Sequence, residues 1–162
     1  MASKQLGTRI KKWLEEEGLQ VQLSSPKTHE FVISVSDAYG IGMKFAVFQP
    51  IKKNIVLLHT ALSMPKEVTD IMKKLDVGSK AKITQSMHRS LLSMVQDHHI
   101  GANLDSITLT ERVFTENFSR QKFYESLIRI RNTTLYLISV LRGHFAQMGP
   151  AQPSTPSHDM YK

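Results

Sequence analysis

The chain reads as an α+β domain: an N-terminal helix, an antiparallel β-meander, central helices, at least one further strand and a long C-terminal helix. Three observations carry that prediction. Residues 19 to 60 alternate apolar and polar side chains at strand periodicity, and the segments before and after them repeat at helical spacing. The alternating runs are joined by short connections, which favours antiparallel neighbours because parallel pairs need long crossovers. A chain of 162 residues fits one domain. Residues 1–146 form it, and 147–162 make a Pro/Ser-rich tail without periodicity that is expected to be disordered.

Leu6, Ile10, Trp13 and Leu14 share one face of the opening helix, among Arg9, Lys11, Lys12 and Glu15 to Glu17, and Gly18 stops it. Leu19, Val21 and Leu23 then alternate with Gln20, Gln22 and Ser24 in a strand with one wet face. After Ser25-Pro26-Lys27, the next strand sets Phe31, Ile33 and Val35 against Val32, Ser34 and Ser36, and Asp37-Ala38-Tyr39-Gly40 supplies a hairpin turn. The third strand carries Ile41, Met43, Phe45 and Val47 on one side and ends at Pro50. Ile55 to Leu58 is continuously apolar, which fits either a strand covered on both faces or a short central strand.

Ser63 before Pro65 marks a helix over about 64–75 that uses Val68, Ile71, Met72 and Leu75. Asp76-Val77-Gly78 interrupts it, and a second amphipathic helix is predicted over about 79–98 with Ile83, Met87, Leu91, Met94 and Val95 in one stripe. Gly101 breaks away, and Thr108-Leu109-Thr110 points to a further strand. The last helix runs from 117 or 119 to about 145 on Phe123, Leu127, Ile130, Leu137 and Leu141, with Tyr124, Leu135, Ile138 and Phe145 widening the stripe. At 1.5 Å per residue it is roughly 40 Å long, so it overhangs the domain, kinks, or packs on a partner chain.

Composition bounds the function. There is no cysteine, which removes disulfides, zinc–thiolate sites and cysteine nucleophiles together. The charged N-terminus lacks the apolar run of a signal peptide, so a cytoplasmic protein is expected. The longest apolar candidate, residues 132 to 141, is far shorter than the roughly 20 residues of a membrane span, so no membrane role is expected.

The formal charge of +7 resides in the body, since from Gln147 onward Asp159 and Lys162 cancel. A basic domain suits nucleic acid or another polyanion, and Lys52, Lys53, Lys73, Lys74, Lys80 and Lys82 are the candidate contacts. These residues come from different elements, without an aromatic–glycine motif, GxxG loop or zinc finger, so a dispersed solvated surface competes with a single site. His98-His99, with His88 and Asp97, invites a metal reading, but His88 and His98 lie ten residues apart and fail the helix-face spacing of three or four. Glu15 to Glu17 diverge around a helix, no GxSxG or phosphate-binding glycine loop occurs, and no cofactor or catalytic residue is nominated. Met72, Met87 and Met94, near Met64, are either core filler or an adaptable binding surface.

With Ile10-x-x-Trp13-Leu14-x-x-x-Gly18-Leu19 at the start and this order of elements, residues 5 to 145 resemble an uncharacterised archaeal protein family with a type III secretion chaperone-like fold. Secretion chaperones are homodimers that hold segments of other proteins on apolar patches without catalysis. This chain departs from them in being basic where they tend to be acidic, and in its segment around 54 to 80. The resemblance implies a non-catalytic homodimer that binds another polypeptide. Met87, Leu91, Met94, Leu137 and Leu141 are the nominated partner-binding residues, and a basic nucleic-acid or polyanion-binding module is the alternative.

Overall fold

The computed structural model describes residues 2–38, 43–64, 66–95 and 97–146. Part of the predicted hairpin turn (Tyr39, Gly40), Ile41, Pro65 and the C-terminal tail lie outside them. The order is α1 (Ala2–Glu16), β1 (Val21–Ser24), β2 (His29–Ala38), β3 (Met43–Pro50), β4 (Ile55–Ser63), α2 (Lys66–Lys74), α3 (Val77–Leu92), β5 (Asp97–Ile100), β6 (Ser106–Phe114), a 3-10 turn (Thr115–Asn117) and α4 (Arg120–Ala146). The six strands form one antiparallel sheet in the order β1-β2-β3-β4-β6-β5, so the predicted meander is its first four strands.

Local chemistry sets the element ends. Gly18 sits at φ +76°, and the Gly18 and Leu19 amides donate to the carbonyls of Glu15 and Leu14. That is a Schellman closure, with Leu19 and Leu14 both buried as its apolar contact. Asp76 caps α3 by accepting from the Ser79 amide at 2.9 Å. Ser119 does the same for α4, accepting from the Lys122 amide at 3.2 Å.

Two boundaries differ from the sequence reading. Ile55–Ser63 is a nine-residue strand paired on both sides, because its apolar run sits at the centre of the sheet. The helix predicted to reach residue 98 ends at Leu92, where the Ser93 amide closes on Leu91, and Asp97–Ile100 forms the edge strand β5 instead.

Every described helix packs on the same face of the sheet, in two apolar clusters. The first joins Ile10 and Leu14 of α1 to Phe31, Ile33, Phe45, Val47 and Leu58 of the sheet and to Phe123, Leu127 and Ile130 of α4. The second joins Met72 of α2, Met87 and Leu91 of α3, Leu104, Ile107 and Leu109, and Leu137 and Leu141 of α4. Between them lies a buried polar belt of Thr60, Glu111, Thr133 and Thr134. Arg129 of α4 reaches the Glu111 carboxylate at 3.2 Å, and the Thr133 hydroxyl donates to the Arg129 carbonyl at 2.8 Å. The length of α4 is thus used within the chain, because it spans both clusters.

Gly7 marks where α1 crosses β2. A Cβ there would stand 2.8 Å from Cγ of Phe31, whose ring is buried and cannot swing away. Gly7→Ala improves helix propensity by about 1 kcal/mol, but overpacking of this kind costs about 1–3 kcal/mol. The expected outcome is a lower urea midpoint with an unchanged m-value; a raised midpoint would mean that α1 lifts off the strand freely.

Candidate functional site

With all described helices on one side, the other face of the sheet is uncovered, and its residues follow from strand parity. Cross-strand pairing places Ser24, Val32, Phe48, Leu57 and Arg112 in one row, and Ile55 opposite Phe114 beside it. The next row is polar and crosses all six strands: Gln22, Ser34, Ala46, His59, Thr110 and Asp97. The face is therefore apolar towards the β3–β4 turn and polar beyond it. Phe114 is 64% exposed, while the Phe48 ring is flanked by His29 and His59 with centroids at 5.1 and 6.4 Å. On the polar half, small side chains leave an open depression of about 660 Å³ lined by Gln22, Ser34, Lys44, Ala46 and His59.

On this face Arg112 is ion-paired with Asp97, and Lys44 lines the polar depression. His59 shares a 3.0 Å hydrogen bond with Thr110, and burial lowers its pKa from 6.5, so the imidazole is neutral at pH 7.

The outer surface of the helical layer is different. α3 carries Lys80, Lys82 and Arg89 and no acid. α4 carries Arg120, Lys122, Arg129, Arg131 and Arg142 against Glu125 alone. Arg120 is ion-paired with Glu16 and Arg129 with Glu111, so the outward positive charge rests mainly on Lys82, Arg89, Lys122 and Arg142, all exposed. Along the outward ridge of α4, Ile128 and Leu135 are 47% and 41% exposed, seven residues apart and hence on one side of the helix. The Tyr136 hydroxyl donates to Ser90 Oγ at 3.2 Å, which ties α4 to α3 along a shared seam.

The nominated partner-binding residues lie elsewhere. Met87, Leu91, Leu137 and Leu141 are buried in the second cluster and Met94 is half-buried beside it, so the stripe is core. The physical reason is that α3 and α4 both turn it towards Ile107 and Leu109 of the sheet. The six lysines do not form one patch. Lys80 donates to the Lys73 carbonyl at 3.3 Å, drawing the α2–α3 corner together with Lys74 and Lys82 nearby in sequence. Lys52 and Lys53 occupy the β3–β4 turn, at the opposite end of β4, a strand about 27 Å long.

The structure does bring His88 and His98 together, Nδ1 to Nε2 at 2.8 Å, because residue 98 is on β5 and not on the helix. Among the described residues no three His, Asp or Glu side chains converge as a metal site. One ring must donate and the other accept, so the contact cannot survive protonation of both. Burial first, and then His88, lowers the pKa of His98 from 6.5, against the opposing pull of Asp97. A depressed folded-state pKa means that the native state binds fewer protons. The contribution is complete above about 6.5 and is lost as pH falls through the folded value. The urea midpoint is expected to fall between pH 7 and 5, and His98→Gln to flatten that fall; an equally steep profile in the variant would remove the pair from the pH response.

Comparison with known proteins agrees with this architecture. No curated protein matches the chain. A crystal structure of an uncharacterized protein from Methanothermobacter thermautotrophicus superposes with a TM-score of 0.77 at 21% sequence identity, covering 88% of this chain and 99% of that one. The shared order of elements is a likeness of fold. No described helix is long and apolar enough to cross a membrane. Residues 6–141 match the model of a family described as an uncharacterized conserved protein, DUF2299, and the chain belongs to that family.

Proposed function

We propose that the protein is a non-catalytic interaction module with a chaperone-like role: a homodimer that binds another polypeptide. The observation that carries this reading is the one-sided sheet. Six strands are covered by helices on one face, and the other presents Val32, Phe48, Leu57, Ile55 and Phe114 together. Apolar side chains clustered on an uncovered sheet face fit protein contact better than isolated exposure does. The Arg112–Asp97 ion pair neutralises two charges on this face, which suits sheet-on-sheet packing with a second copy. A chain without cysteine suits the reducing cytoplasm.

A second reading, a basic nucleic-acid or polyanion-binding module, draws support from the Lys73–Lys80 corner and the basic α3–α4 surface. It is weaker because the six lysines do not share one patch: Lys52 and Lys53 stand at the β3–β4 turn, at the far end of β4 from the Lys73–Lys80 corner.

Sedimentation equilibrium tests the dimer. The protein is expected to self-associate, and Phe114→Lys to shift the equilibrium to monomer by about tenfold or more in Kd, with an unchanged melting temperature at dilutions where both proteins are monomeric, since Phe114 is largely exposed in the single chain. A monomer at every concentration, with Phe114→Lys indistinguishable from it, would count decisively against the sheet face.

A further inference from the structure

We propose that the outer surface shared by α3 and α4 is a docking site for an acidic amphipathic helix of a partner polypeptide. This rests on the polypeptide-binding reading above and names the chemistry of the partner. The apolar component is the ridge of Ile128 and Leu135, bordered by Tyr136, all exposed by more than a third. Spacing of seven along a helix is the periodicity by which one helix packs lengthwise on another. Ser86 and Ser90 on α3 and Asn132 and Ser139 on α4 have short side chains, so the seam can admit a third helix closely.

Charge decides which helix. Lys82 and Arg89 stand seven residues apart on α3, both exposed, and Lys122 and Arg142 are exposed on α4. Glu125 is the one acid on either helix, and it accepts from Gln121 at 2.9 Å. A second copy would bring like charge against like here, so the surface is unsuited to self-association. A helix with aliphatic residues on one face and Glu or Asp on its flanks satisfies both the ridge and its rim. Nucleic acid would satisfy the rim alone and leave Ile128 and Leu135 against phosphate and sugar. The site lies on the far side of the molecule from the uncovered sheet face, so a dimer through that face leaves it accessible.

The test is fluorescence anisotropy on the full chain. The probe is a labelled amphipathic peptide of about 18 residues with Leu on one face and Glu on the other. Comparators are the same peptide with Gln for Glu, and a single-stranded RNA of mixed sequence. The Glu peptide is expected to bind, to weaken with salt, and to weaken by about tenfold in the Arg89→Glu/Arg142→Glu double variant. Leu135→Ser should weaken it independently. All three positions are exposed, and unchanged melting curves confirm folding. Equal affinity for the Gln peptide, unaffected by either variant, would overturn the acidic helix and this site while leaving polypeptide binding in place. Tighter RNA binding that displaces the peptide and is lost in the double variant would overturn the polypeptide occupant. Failure to bind either peptide, alongside a dimer in sedimentation, would overturn the docking site alone; with a monomer it would overturn both readings.

Discussion

Glu111 is fully buried on the covered face of the sheet, and a carboxylate in that position must be partnered or it destabilises the fold by several kcal/mol. Arg129, delivered by α4 from above, pairs with it at 3.2 Å. This contact fixes where α4 can lie. Sliding the helix by one turn, about 5.4 Å, would carry Arg129 away and set Glu125 or Thr133, neither of them a cation, in its place. Thr133 and Thr134, one turn further on, are likewise buried over the belt and interrupt what would otherwise be a continuous apolar stripe. Phe123, Leu127 and Ile130 must then fall on the first cluster and Leu137 and Leu141 on the second. A helix with an unbroken apolar stripe could take several registers; this one has a polar mark in its middle.

The position of α4 determines what the rest of the molecule exposes. Because α4 bridges both clusters on one face, α1 is confined to the β1–β2 end and α2 with α3 to the β5 end of that same face. No described element remains to cover the other side. Strand parity then dictates its chemistry, and the two halves of that face differ because the apolar row and the polar row are neighbours in register. The outward ridge of α4 is fixed by the same rotation: once Leu127, Ile130 and Leu137 point inward, Ile128 and Leu135 point away.

Sequence periodicity made the layers legible but not the partitions between them. The strands were visible because Phe31, Ile33 and Val35, and Phe45 and Val47, alternate cleanly. Phe48 and Val32 occupy the wet parity of their strands, a signal present in the sequence but diluted by Ser34, Ser36 and Lys44 around them. The stripe of Met87, Leu91, Leu137 and Leu141 was legible as apolar; whether it meets a sheet or a partner depends on tertiary contacts that periodicity does not encode. The His88–His98 contact was hidden by the helix end: continued to residue 98, the helix sets the rings ten residues apart, whereas a strand folded back beside α3 sets them 2.8 Å apart. The lysines fail to converge for a topological reason, since β4 separates Lys52 and Lys53 from the rest.

On the proposed reading, the segregation of charge suits the two surfaces to different partners. An uncovered sheet face is a hazard for uncontrolled association, and here it is limited in two ways. Both edge strands, β1 and β5, are only four residues long, which leaves little edge to template another strand. The polar row from Gln22 to Asp97 confines the apolar contact to one half of the face, so a copy docking there must match a boundary as well as a patch. The positive excess sits on the opposite side, on α3 and α4, where it opposes stacking of copies back to face. On the proposed reading, association through the sheet then closes as a pair without propagating. The basic helical layer stays outward on both members, where only a partner of opposite charge reduces the repulsion within it.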